Sequence, residues 1–203
     1  MTKLEAVQQI GRRILAYQIA ALDTDRNGAA ADIEREVDNQ NLYLQSRGWS
    51  FNTYHETVLT PDGSGNIVFD DNTIKQWPDP NDVDYCRNLQ RHGTQLYDMD
   101  NQTFVFDGTV TMTLVKLIAF DCCPELFRQW IACEAACRYN EQRGFNQKQP
   151  TLDREALKAK VEWERYEQRV RHTTSLQTPA AAAIRGYRYR YGTAPFSSGG
   201  GWG

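Results

Sequence analysis

The chain has 203 residues, enough for one good-sized domain or two small ones, and 40% hydrophobic with 24% charged residues is the balance of a soluble globular protein with a modest core. No run of 18 apolar residues is present and the opening MTKLEAVQQIGRR lacks the apolar stretch of a secretory leader, which argues against a spanning helix and predicts retention in the cytoplasm of the cell that makes it. The net charge of −3 is uneven, because residues 179–203 hold three arginines and no acid, so a tail of +3 follows a body of −6.

Thr2 is placed to cap a first helix over about 3–22, with Leu4, Val7, Ile10, Ile14 and Tyr17 at helical spacing until the cluster Asp23 to Gly28 interrupts it. A second helix is predicted over about 29–47, with Ile33, Val37 and Leu44 on a narrow stripe that needs a neighbour. Gly48 follows as the residue that enters the left-handed conformation past a helix end. The period then changes to two, which puts Trp49 and Phe51 on one face of a strand and in the core. WSFNTYHETVLT, the turn cluster PDGSGN and Ile67-Val68-Phe69 read as a hairpin, and IKQWPDPNDVDY as a loop or edge strand. QLYDMDNQTFVF reads as a second hairpin, with Asp100-Asn101 in its turn and Phe104 and Phe106 on one face. TVTMTLVKLIAF is the strongest strand, closing a strand region of about 49–118.

Helices then return. Pro124, at the first helical position, opens a third over about 124–143, with Leu126, Trp130, Cys133 and Cys137 on one stripe until Gly144. Thr151 is predicted to cap a fourth over about 151–171, with Leu157 and Val161 among its apolar positions. The order predicts an α+β fold: a four-helix bundle with an antiparallel β region inserted between its second and third helices, filling residues 1–172. From 173 to 203 the composition turns to Ala, Gly, Ser, Tyr and Arg without an apolar period, an extended segment outside the core.

Chemistry-bearing residues give no assembled motif. His55, His92 and His172 fall in three segments without a nucleophile elbow, zincin or phosphate-loop pattern. Cys122, Cys123, Cys133 and Cys137 with His92 include thiolate and imidazole ligand types, but no CxxC occurs and adjacent cysteines point apart. The five cysteines therefore read as free thiols packed as small hydrophobes, with no metal and no cofactor expected. Asp70, Asp71, Asp79, Asp82 and Asp84 near Trp77 leave a wall-degrading hydrolase with paired carboxylates as an alternative, set against solvated acidic turns. In RGYRYRY, extension puts Tyr187, Tyr189 and Tyr191 on one face and Arg188 and Arg190 on the other, flanked by Ile184, Arg185, Phe196 and Trp202. That pattern suits a protein-docking segment, with single-stranded nucleic acid or an inert tail as alternatives, the former making the chain a DNA-binding accessory protein.

The stretches QSRGWSFN, TPDGSGNIVF, QLYDMDNQTFVF and FDCCPELFRQWIACEAACRYNEQRG occur in an order that resembles the tail tubular protein A family, head-to-tail adaptors of short-tailed bacteriophages. The matching positions are Gln45, Ser46, Arg47, Gly48, Trp49, Phe51 and Asn52, then Leu96, Tyr97 and Asp98, then Phe120, Pro124, Glu125, Phe127, Arg128, Trp130 and Ile131. The resemblance covers residues 3 to 172 and implies a structural virion protein without catalysis. It implies a ring of twelve copies between the portal protein ring and a tail nozzle of the tail tubular protein B type. Genomic DNA would pass through the lumen, with no membrane partner and with assembly in the host cytoplasm.

Overall fold

The computed structural model describes residues 1–15, 19, 28–79, 88–145 and 148–175, with side chains as far as residue 171. The chain divides into two compact units, Met1–Trp163 and Glu164–Gly203. In the second, the described backbone is helical to Ser175, and the Arg171 guanidinium donates to Glu167 at 2.8 Å.

Helix α1 (Lys3–Ile14) opens on a capping box: the Thr2 hydroxyl accepts from the Glu5 N–H at 3.2 Å and the Glu5 carboxylate accepts from the Thr2 N–H at 2.7 Å. It is shorter than its predicted 3–22. Lys148 donates to the Arg13 and Ile14 carbonyls at 3.0 and 2.9 Å, so the last acceptors are met by a side chain rather than by another turn. Ile19 is buried but not helical, and Tyr17 lies outside the described residues. Helix α2 (Ala29–Gln45) starts at Gly28, with φ of 67°, and buries the expected Ile33, Val37 and Leu44 together with Ala30. Gly48 follows it at φ +78°, as its place past a helix end requires.

The predicted strand at Trp49 is a turn. The Asn52 carboxamide oxygen accepts from the Trp49 N–H at 2.8 Å while the Asn52 N–H donates to the Trp49 carbonyl at 3.1 Å, and extended backbone begins only at Thr53. A three-stranded antiparallel sheet then forms from β1 (Thr53–Leu59), β2 (Thr73–Pro78) and β5 (Val110–Lys116), in the order β1-β5-β2. The predicted hairpin of β1 with residues 67–69 does not form: β1 pairs with β5, Tyr54 opposite Leu114 and Leu59 opposite Val110. β2 takes the edge, where Pro78 lacks a ladder donor at little cost. The strongest predicted strand, β5, is the central one.

β3 (Leu89–His92) and β4 (Gln95–Asp98) make a hairpin turned at Gly93. β4 therefore pairs mainly upstream, and the hairpin predicted downstream reduces to a single bridge between Asp98 and Thr103. Phe104 and Phe106 are not on one face: a bend at Phe104 breaks the alternation, leaving Phe104 37% exposed and Phe106 buried.

A 3₁₀ turn, Phe120–Cys122, leads into α3 (Glu125–Arg143), with Pro124 just outside as the N-cap residue and Gly144 closing it at φ 72°. α4 (Gln149–Ser175) begins before Thr151, so Thr151 lies in the first turn instead of capping it. The class is α+β. One core of buried residues joins α1, α2 and α3 with Leu152, Ala156 and Trp163 of α4. A second, smaller core holds Ile67, Phe69, Leu96, Phe106, Val110, Met112 and Leu114.

Candidate functional site

The two cores meet at a buried amide joint. Gln45, fully buried at the end of α2, donates from its carboxamide to the Ile118 carbonyl at 2.7 Å, and its carboxamide oxygen accepts from the Ile118 N–H at 2.8 Å. Asn52, equally buried, donates to the carbonyls of Gln45 at 3.0 Å and Lys116 at 3.2 Å. Asn41 accepts from Gln45 at 2.7 Å and donates to Ile118 at 3.3 Å. These amides saturate the backbone where β5 leaves the sheet and lock it to α2, a use of buried polar groups that works only because nearly every partner is supplied. Sequence reasoning quoted Gln45 and Asn52 without finding this role, and the available signal was two amides bracketing a helix end and the aromatic pair Trp49 and Phe51.

Trp49 and Phe51 turn from this joint into an aromatic cluster. The Trp49 ring lies edge-on to Phe127 at 6.0 Å, Trp130 at 5.8 Å and Trp163 at 5.7 Å, and its indole N–H donates to the Leu44 carbonyl at 2.8 Å. Phe51 sits 5.0 Å from Phe127 and 5.7 Å from Trp163. Such edge-to-face pairs add to area burial. Ile131 is buried beside them, and Arg47 covers the Trp130 face at 5.5 Å. Leu96 is buried in the strand core and Tyr97 is half-buried on its other side.

The acids near Trp77 do not form a catalytic pair among the described residues. Asp79 is buried and accepts from the Glu56 N–H and the Thr113 hydroxyl, both at 3.1 Å. Glu56 has φ of 51° inside the irregularity of β1 between Tyr54 and Thr57, so Asp79 satisfies a backbone donor that the bulge takes out of the ladder. Asp70 is exposed and paired with Lys116, Asp71 is exposed, and Asp82 and Asp84 lie outside the described residues.

The cysteines are similarly separated. Cys122 is exposed, Cys133 half-buried, and Cys123 and Cys137 buried. Burial pushes the Cys123 and Cys137 thiols up to about 12, so their thiolates are scarce at neutral pH, and the Cys123 sulfur accepts from the Gln45 carboxamide at 3.3 Å. His92 stacks on Tyr97 at 4.6 Å, in the β3–β4 hairpin. A groove of about 790 Å³ runs over α3 between α1 and α4, where Arg13 meets Glu155 at 2.6 Å. Its mixed charges pair with one another and leave no group with the exposure and partner geometry of a general base. The tail positions Ile184, Arg185, Tyr187, Arg188, Tyr189, Arg190, Tyr191, Phe196 and Trp202 all lie outside the described residues.

A sequence profile described as "Tail tubular protein" matches residues 4–173, most of the chain. The chain belongs to the tail tubular protein family. No curated protein matches it. Membership makes it a structural protein of the phage virion tail, in a family that is generally non-enzymatic. In this tail tubular protein the family stretch 45–52 closes α2, builds the amide joint and delivers two rings to the core. No helix among its described residues is long and apolar enough to cross a membrane.

Proposed function

We propose that the protein is the head-to-tail adaptor of a short-tailed phage, a ring of twelve copies that joins the portal to the tail nozzle and forms part of the DNA conduit. Family membership over residues 4–173 carries this reading. The exposed apolar side chains Leu42 and Tyr43 on α2, Val58 on β1 and Leu157 on α4 are where the lateral contacts of such a ring would fall.

The four helices, taken as a bundle, pack laterally against neighbouring copies. The segment 173–203, basic and rich in tyrosine, reaches the portal, and the acidic strand region faces the nozzle and the passing DNA, which it does not hold tightly. Assembly takes place in the host cytoplasm. The test is the native mass of the full chain, alone and mixed with its portal: conversion to a multi-copy ring on the portal is expected, and a persistent monomer without portal affinity overturns the reading. Removing residues 179–203 is expected to abolish portal binding while leaving the unfolding midpoint unchanged.

A further inference from the structure

The strand region carries an aromatic platform that the fold itself does not use. Val68 bridges to Gln95, Gln95 pairs with His92, and Tyr97 pairs with Gln90, so these five residues share one face of the small sheet. The opposite face is the apolar one, with Ile67, Phe69 and Leu96 buried in the smaller core. On the outer face the His92 and Tyr97 rings stack at 4.6 Å with 15° between planes, and Phe104 leans on Tyr97 at 4.7 Å. Val68 remains 52% exposed and Phe104 37%. The stacked pair is thus exposed at His92 and half-buried at Tyr97, on a face that polar side chains commonly occupy.

Charge selects among occupants. Residues 53–118 contain ten acids and four bases, a net −6, while the helical segments 1–52 and 119–175 together are neutral. A π surface in a negative field favours a planar cation, and arginine is the side chain that stacks on rings while hydrogen-bonding sideways. Gln90 and Gln95 flank the rings and supply carboxamide oxygens as acceptors for its N–H groups.

We propose that this platform is where the tail nozzle docks, through a protein segment that lays arginine on the exposed side of Phe104, beside Val68 and the flanking glutamines. The inference rests on the adaptor reading and assigns its nozzle contact to named residues. The test uses the full chain, the purified nozzle protein of the same virion as probe, and ring formation on the portal as a parallel readout. Phe104→Ser and the double variant with Tyr97→Ser are expected to weaken nozzle capture by about thirty-fold or more, the scale of an interface anchor, with portal rings unchanged. Tyr97→Phe keeps the ring and is expected to keep capture. Val68→Ser, at a more exposed position, gives a smaller loss in the same direction should the double variant fold poorly. Phenylglyoxal treatment of the nozzle arginines is expected to abolish capture, and acetylation of its lysines to leave it.

Unchanged capture by the folded serine variants overturns the platform. Capture that survives arginine blocking, or that a soluble oligosaccharide competes away, overturns the arginine-bearing occupant. A wild-type chain that forms no ring and binds no nozzle defeats the adaptor reading instead, so the two failures are distinguishable.

Discussion

The largest aromatic clusters of the helical and strand regions lie at different depths. Around Trp49, five large rings from the 49–52 turn, α3 and α4 pack edge to face in one core, with Phe127, Trp130 and Trp163 fully buried. In the strand region the core is mainly aliphatic, and Tyr54, Trp77 and Phe104 are 44%, 40% and 37% exposed at its surface. Rings turned inward fix a shape, and rings turned outward wait for a contact. The Trp49 cluster thus reads as scaffold, and the outer rings of the strand region, like Tyr43 on α2, as groups left for other molecules.

Substitutions can break or sharpen that contrast. Trp130→Ala removes the centre of the scaffold cluster, leaves Glu134 without its indole donor, and is expected to cost about 3–5 kcal/mol in urea unfolding. Leu96→Ala in the smaller core is expected to cost about 2–4 kcal/mol, and a larger loss there than at Trp130 would reverse the assignment of scaffold and display. Asn52→Ala strips the joint of donors to Gln45 and Lys116 and is expected to cost about 2–3 kcal/mol. It should also separate one unfolding transition into two, because the amides tie the regions together, and a single unchanged transition would show that apolar contacts alone couple them.

The smallest expected effect is at the surface of the scaffold. Burial of the Lys3 ammonium, which alone would lower its pKa, is outweighed by hydrogen bonds to Asp38 and Glu34, and the net shift is upward. A raised folded pKa contributes stability that is fully present below the unfolded value near 10.5 and is lost as pH rises through the folded one. Lys3→Met should cost at most about 1 kcal/mol at pH 7 and make no difference well above the folded pKa, as a comparison of unfolding midpoints across pH would show.

Legibility in the sequence followed the range of the interaction. α2 and α3 were readable because local signals bound them: Gly48 and Gly144 enter the left-handed conformation where each helix stops. The end of α1 was not, because Lys148 supplies its terminal hydrogen bonds from the far side of the chain. The strand partners were misassigned for the same reason, since β1 pairs across about fifty to sixty residues with β5 rather than with its neighbour in sequence. Trp49 and Phe51 show a subtler failure: spacing of two fits a strand, but Asn52 bends the same spacing into a turn that still delivers both rings to one cluster. Of the candidate site, the family stretch was legible as a pattern and illegible as a mechanism, because a glutamine's burial depends on carbonyls seventy residues away.

The amide joint also sets a timetable for synthesis. Gln45 and Asn52 leave the ribosome long before Lys116 and Ile118, whose backbone groups are their partners, and Trp49 waits longer still for the ring of Trp163. Until then the nascent amino-terminal third holds buried-type amides and an indole with nowhere to settle, so α1 and α2 cannot complete their packing as an early folding unit. The packing of the amino-terminal helices thus waits for a ring more than a hundred residues further along the chain.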